Sequence, residues 1–269
     1  MAEARSLHIG LNEVDPAAYG GWDGRLAGCH NDVTSMQGIA DALGYRSAAL
    51  LDREANADDV IAAIRDAAGS LAGGDIFLLT YSGHGGQVDD TNGDDADRLD
   101  ETWVLWDRML IDDELYALWA EFQAGVRIAV VSDSCHSGSV TRAVPFASDG
   151  SPLPLQRRMP LDVERRTYEE HKDLYDGIQA RVPTREGSPI GAGVQLISGC
   201  QDNQTSADGD RNGLFTGTLL EVWQDGRFEG SMHALRDEIA GRMPSDQTPN
   251  YYVVGTPNEA FEDGPAFRP

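Results

Sequence analysis

Apolar positions along the chain follow two alternating rhythms. Ser6 to Leu11 reads as a first strand. From Asn31 to Leu43, Val33, Met36, Ile39, Ala40 and Leu43 fall on one helical face, and Gly44 follows as a stop. Tyr45 to Leu51 reads as a short strand. Asn56 is placed to cap a helix that runs to about Ser70 and turns Val60, Ile61, Ile64 and Ala68 inward. Asp75 to Tyr81 carries the unbroken run Ile76-Phe77-Leu78-Leu79, which predicts a strand buried on both faces. Asp112 to Phe122 reads as a helix, and Val126 to Val131 as a second buried strand. Val194 to Ser198 and Tyr251 to Val254 add two more strands, with helices near Gly213 to Trp223 and Ser231 to Met243. Tyr251 to Val254 suits an inner or an edge position equally. Two stretches follow neither rhythm: Asp89 to Glu101, mostly Asp, Gly and small residues, and Thr141 to Ser188, rich in Pro and Arg. The second is expected to be a long mobile insert, partly helical around Leu161 to Ile178.

Strand–helix alternation of this kind implies an α/β fold: a mainly parallel sheet reached by right-handed crossovers and covered by helices on both faces. The chain has 269 residues, 41% of them hydrophobic, which suits one large domain. Its formal net charge of −24 would repel phosphate backbones and anionic bilayers, so neither nucleic acid nor membrane is an expected partner. The N-terminus carries no apolar leader, and no stretch approaches the roughly 20 apolar residues of a membrane helix. Three cysteines, Cys29, Cys135 and Cys200, do not make a disulfide framework, and a cytoplasmic location is expected.

Ligand sites in parallel sheets lie beyond the carboxyl ends of the strands. Two polar clusters stand there: Ser82-Gly83-His84-Gly85-Gly86 after one buried strand and Asp133-Ser134-Cys135-His136-Ser137-Gly138 after another. A thiol nucleophile needs a base within reach and donors for an oxyanion. Cys135 and His84 supply the first two, and the flanking glycines admit a substrate backbone. The histidine lies roughly 50 residues upstream, the spacing known for caspases. Either residue alone would read as structural, a buried small hydrophobe or a surface imidazole. The combination points to chemistry. His136, the strand neighbour of Cys135, faces the other way and reads as structural.

Tyr81-Ser82-Gly83-His84-Gly85 and Asp133-Ser134-Cys135-His136-Ser137-Gly138 resemble the histidine and cysteine motifs of metacaspases, including the bacterial orthocaspases. The resemblance runs from Leu7 to about Gly255, including Asp112-Asp113-Glu114-Leu115 and Gly199 to Ser206. It implies a three-layer caspase-like fold with a sheet of about six strands, the 141–188 insert lying between large- and small-subunit-like parts. It also implies a monomeric cysteine endopeptidase with Cys135 as nucleophile and His84 as its partner, and with the backbone N–H groups of Gly85 and Cys135 as oxyanion donors. Animal caspases have Gln-Ala-Cys where this chain has Asp-Ser-Cys.

The surroundings of the nucleophile are acidic. Asp133 lies two residues before Cys135, and Asp32 matches a second acidic position of metacaspase pockets. Ser82 and Asp202 complete the expected substrate-binding set. Carboxylates at a pocket floor select Arg or Lys, so peptide and protein substrates cut after Arg or Lys are expected. Arg157, Arg158, Arg165, Arg166, Lys172, Arg181 and Arg185 offer sites for self-cleavage.

For calcium, Asp89 to Asp97 fails as an EF-hand, because Asp95 stands where the loop needs Gly. The resemblance instead implies Ca2+ ligation by Asp100, Asp112 and Asp113. Arg142 occupies the fourth ligand position, and its charge opposes a cation there. Asp112 and Asp113 would serve equally as helix caps ahead of Glu114. Three other functions compete: a non-catalytic caspase-like binding module, a metal site from Cys29, His30, Cys135 and His136, and a legumain- or gingipain-like peptidase.

Overall fold

A computed structural model describes residues 2–93, 98–135, 155–182, 189–199, 208, 211–245 and 247–269. Six strands form the central sheet: β1 (Ala4–Gly10), β2 (Arg46–Leu51), β3 (Ile76–Ser82), β7 (Arg127–Asp133), β8 (Gly193–Ser198) and β9 (Asn250–Gly255), in the order β2-β1-β3-β7-β8-β9. Every pairing is parallel except β8 with β9, which is antiparallel. Strand β9 therefore closes an edge, where Tyr252 and Val253 are exposed. The run Ile76 to Ser82 is buried at every position, as a central strand covered on both faces must be.

The helices that the apolar periodicity predicts form close to their expected limits. They include α1 (Cys29–Ala42), α2 (Ala57–Ser70), α3 (Asp112–Ala120), α6 (Leu214–Trp223) and α7 (Met232–Ala240); a short α8 (Glu259–Glu262), which the periodicity does not predict, follows β9. Asn56 caps α2 by accepting a hydrogen bond from the backbone N–H of Asp59 at 3.0 Å. Gly44 ends α1 with φ +87°, a conformation that costs glycine nothing. Two apolar cores lie on opposite faces of the sheet, one built on Ile9, Phe77, Leu79, Ile128 and Val130 and the other on Leu78, Val131, Phe215 and Leu219. No helix of the described residues is long and apolar enough to cross a membrane.

Three features depart from the sequence reading. The stretch from Asp89 to Glu101 is not wholly irregular, because its ends belong to a second, antiparallel sheet. This sheet comprises β4 (Gly85–Asp89), β5 (Leu99–Val104) and β6 (Met109–Ile111). Its short strands, with few alternating apolar positions, give little periodic signal. Asp112 and Asp113 do not cap α3: Ile111 holds the capping position and its N–H donates to Glu114 Oε2 at 3.2 Å. Finally, residues 155–182, within the expected insert, form α4 (Leu161–Glu170) and α5 (Lys172–Gln179) where helix is expected, and the departure is that these helices pack Val163, Tyr168, Tyr175 and Ile178 into the first core.

A buried polar relay crosses the middle of the sheet. His8 on β1 is fully buried, with Nδ1 2.8 Å from Thr80 Oγ1 and Nε2 2.9 Å from Ser6 Oγ. Burial lowers its pKa to about 4, against a weaker upward pull from Asp41. Between the ordinary value of 6.5 and about 4 the unfolded chain binds a proton that the folded one refuses. Stability is therefore lost as pH falls through that window, by about 2 kcal/mol at pH ~4.5. Urea unfolding of wild type and His8→Gln, followed from neutral to acid pH, should show the free-energy difference between them moving by that amount in favour of the variant. A pH-independent difference would contradict the assignment.

Candidate active site

The register of two neighbouring strands sets the site. β3 and β7 run parallel with Ser82 opposite Asp133. His84 and Cys135 each follow two residues later, so both leave the sheet at the same rim. The turn carrying His84 is pinned from below. Tyr81 Oη donates to the His84 carbonyl at 2.7 Å, and the N–H of Val104 donates to that same oxygen at 3.0 Å. The Tyr81 ring stacks on Trp103 with centroids 4.5 Å apart and planes 6° from parallel.

The ring of His84 lies against Trp22, centroids 4.8 Å apart, and its Nε2 is 3.0 Å from the carbonyl oxygen of Gly24. A carbonyl only accepts, so Nε2 carries the proton and Nδ1 keeps the lone pair. Nδ1 is buried and has no hydrogen-bond partner among the described residues. Burial lowers the pKa of His84 to about 4, with the Gly24 carbonyl pulling the other way and the Arg157 charge adding to the fall. The imidazole is thus neutral at pH 7, with an available acceptor at Nδ1.

Across this rim lies the chain segment Leu155 to Met159. Its backbone is held at three points. The N–H of Asp208 donates to the Leu155 carbonyl at 2.7 Å. The N–H groups of Gly85 and Cys135 both donate to the Arg157 carbonyl, each at 3.1 Å. The N–H of Met159 donates to the Gly85 carbonyl at 2.8 Å. The two donors that the sequence singles out for an oxyanion thus converge on one carbonyl oxygen.

The side chain of Arg157 is fully buried and sits among three carboxylates. Its Nη2 is 2.7 Å from Asp32 Oδ2 and 2.9 Å from Asp208 Oδ1, and its Nη1 is 2.9 Å from Asp133 Oδ2. Nη1 also donates to Ser82 Oγ at 2.8 Å, and that hydroxyl donates on to Asp32 Oδ2 at 2.7 Å. The carboxylates have further donors. Asn212 Nδ2 and the N–H of Gly213 serve Asp32, the N–H and hydroxyl of Thr216 serve Asp133, and the N–H groups of Ala27 and Gly28 serve Asp208. Burial pushes the Asp32 carboxyl up to about 6, against the downward pull of Arg157. Burial also opposes the charge on Arg157, but Asp133, Cys29, Asp32 and Asp208 outweigh it and hold its pKa well above the ordinary value. Two glycines make the room. A Cβ at Gly213 would stand 2.5 Å from Arg157 Cζ, and one at Gly28 would stand 2.9 Å from Nη2.

Of the expected substrate-binding residues, Asp32, Ser82 and Asp133 come together here, and Asp202 lies outside the described residues. Sequence reasoning missed Asp208, Asn212, Gly213 and Thr216, which reach the site from the loop leading into α6 and from that helix. An acidic residue in a Gly- and Asn-rich loop gives no signal of its own without the loop's position.

The expected Ca2+ ligands lie on β5 and at the start of α3. Asp100 is buried on β5, Asp112 and Asp113 begin α3, and Asn92 Nδ2 donates to Asp113 Oδ2 at 2.7 Å. Among the described residues no group of three His, Cys, Asp or Glu side chains is placed to hold a metal ion. That also leaves Cys29 and His30 without a metal site among the described residues. Cys29 is buried, with its thiol pushed up to about 12, and His30 Nε2 pairs with Asp52 at 2.8 Å. His136, Arg142 and the acidic positions 94, 95 and 97 lie outside the described residues.

Residues 12–261 match the family model of the caspase domain, peptidase family C14. The chain belongs to the caspase-domain peptidases. It is 28% identical over 281 residues to Metacaspase-1 of Mycosarcoma maydis, covering 90% of this chain and 68% of that protein. It is 30% identical over 261 residues to Metacaspase-1 of Schizosaccharomyces pombe, covering 84% of this chain and 60% of that one. Among solved structures, a Geobacter sulfurreducens protein superimposes with a TM-score of 0.88 at 48% identity, covering 98% of this chain and 97% of that one. Caspase-1 from Spodoptera frugiperda superimposes with a TM-score of 0.59 at 11% identity, covering 94% of this chain and 86% of that one, which speaks to the fold alone. This caspase-domain protein is accordingly a cysteine peptidase, a hydrolase of peptide or protein substrates.

Removing the buried cation should expose the cost of the carboxylates around it. In a Cys135→Ala background, Arg157→Ala is expected to lower the unfolding free energy by about 3 kcal/mol at neutral pH. Without the guanidinium the Asp32 carboxyl, already raised by burial, rises further above its unfolded value. The loss is therefore largest at neutral pH and shrinks as the medium is acidified and Asp32 takes up a proton. A loss that is the same at pH ~7 and pH ~5 would contradict this account.

Proposed function

We propose that this caspase-domain protein is an endopeptidase that cuts after Arg or Lys, with Cys135 as nucleophile and His84 as acid–base partner, and that it processes itself. One observation carries the proposal: the Arg157 carbonyl accepts from Gly85 and Cys135 while its guanidinium fills the acidic hole. A substrate residue at the cleavage position must satisfy the same two demands together.

In this reading the neutral imidazole takes the thiol proton on Nδ1, and the sulfur attacks the carbonyl carbon held between the two N–H groups. Negative charge grows on the oxygen they already bind, and one such donor is worth about 100- to 1000-fold in rate. The resulting imidazolium protonates the leaving amine. Water then hydrolyses the thioester and returns the thiol. The carboxylates select the residue, since a guanidinium satisfies three of them at once. A Lys ammonium makes fewer simultaneous contacts, so Arg is preferred over Lys. An aspartate there would meet only like charge.

Fluorogenic peptides ending in Arg, Lys or Asp provide the test, assayed on protein whose mass shows whether it is intact or cut. Cleavage is expected after Arg, more slowly after Lys, and not after Asp. Cys135→Ala should abolish it, and His84→Ala should lower it by about 100- to 10,000-fold. Preference for Asp, or wild-type turnover by Cys135→Ala, would sink the proposal.

A further inference from the structure

Two arginines stand side by side in the segment that crosses the site, and each has its own acidic receptor. Arg157 enters the three-carboxylate hole. Arg158 is buried on the other side of the crossing, where its Nη2 lies 3.2 and 3.3 Å from the two carboxylate oxygens of Glu164. Glu164 is itself fixed. It projects from α4, and its Oε2 accepts the N–H of Gln87 on β4 at 3.0 Å. Burial raises the pKa of Glu164, and the Arg158 charge and the Gln87 N–H pull it back. Between the two receptors, Gly85 grips the segment by both its N–H and its carbonyl.

We infer that the chain hydrolyses its own Arg157–Arg158 bond and that Glu164, by holding Arg158, sets the register of that cut. The inference rests on the proposed Cys135 peptidase activity. Adjacent arginines pose a specific problem, because a slip of one residue would offer Arg158 to the hole and move the cut to the Arg158–Met159 bond. Such a slip would carry each side chain to its neighbour's place. A slipped Arg157 would lose three carboxylates and Arg158 would lose Glu164. The carboxylate beyond the scissile bond is therefore a positioning residue, which makes one of two chemically similar bonds the substrate.

The other basic residues of the region are less suited. Arg165 and Arg166 lie within α4, and Lys172 begins α5, so their backbones are committed to helix. The N–H of Arg181 donates to the Ile178 carbonyl at the end of α5. Leu155 to Met159 lies outside any helix, and its Arg157 carbonyl and Met159 N–H are held at the site.

The chemistry balances as a hydrolysis. The Cys135 sulfur bonds to the Arg157 carbonyl carbon, the carbon–nitrogen bond to Arg158 breaks, and the amine leaves with the proton. Water then cleaves the thioester. The products are a chain ending in the Arg157 carboxylate and a chain beginning with the Arg158 amine, which together exceed the intact protein by one water.

The test is intact mass and N-terminal sequencing of the full-length protein after incubation. Wild type should give a single new N-terminus at Arg158, and Cys135→Ala should stay whole. Glu164→Gln should yield a mixture in which part of the product begins at Met159, a fragment shifted by one arginine. A merely structural role for Glu164 would change the amount of product but not its mass. The double variant Glu164→Gln, Arg158→Gln, with one arginine left to enter the hole, should return to a single product. Should Glu164→Gln fail to fold, Arg157→Gln decides: with Glu164 holding Arg158 in place, self-cleavage is expected to fall by about tenfold. Wild-type fragments beginning elsewhere, a single unshifted product from Glu164→Gln, or efficient cutting after Arg158 in Arg157→Gln would each overturn the inference. If wild type stays whole yet hydrolyses Arg peptides, only the self-cut fails. If it does neither, the peptidase proposal fails with it.

Discussion

The parallel register of β3 against β7 is the constraint on which the site depends. Pairing Ser82 with Asp133 places two loop starts side by side at one rim. Glycines then let the first of these loops turn back at once into β4, so that Gly85 can face Cys135 across a single carbonyl oxygen. A shift of one residue in that pairing would send the side chains of one strand to the other face and separate the hydroxyl, the carboxylate and the thiol. Burial of both strands, complete but for Arg127, resists such a shift, because it would move apolar side chains such as Leu79 and Val130 out of the core they fill.

A second constraint is electrostatic. Three carboxylates within reach of one buried guanidinium carry more negative charge than the cation neutralises. Burying charge is costly unless each group is fully hydrogen-bonded. The protein meets that demand with backbone N–H groups from Ala27 and Gly28 ahead of α1 and from Gly213 and Thr216 at the start of α6, aimed at the carboxylates. Glycine at 28 and 213 is what allows those segments to close on the guanidinium. The hole is thus shaped for a planar, multiply donating cation as well as charged for it.

The proposed peptidase activity and the likeness to metacaspases fit this arrangement from different directions. The family match covers residues 12–261 of this chain, whereas the Arg157 contacts concern its own segment. Residues 155–182 are part of that arrangement. They place a basic pair at the rim and bury Val163, Tyr168 and Tyr175 under the sheet, so the segment beyond the crossing is anchored by its own helices.

Much of this was legible before any coordinates. Alternating strand and helix periodicity determined the α/β class, and the unbroken apolar runs identified β3 and β7 as central. The polar residues that follow each run marked Ser82, His84, Asp133 and Cys135 as neighbours at a strand end, because local pattern records which residues leave a buried strand. Asp208, Gly213 and Thr216 left no such mark. Their roles come from chain folding back on segments distant in sequence, which no short-range pattern encodes. The β4-β5-β6 sheet was missed for a related reason, since its strands are short and mostly paired through backbone. Which of several arginines meets the acid, and which glutamate holds its neighbour, was decided only by tertiary packing. Charge complementarity is the same for every arginine in the sequence, and only the path of the backbone brings one of them to the hole.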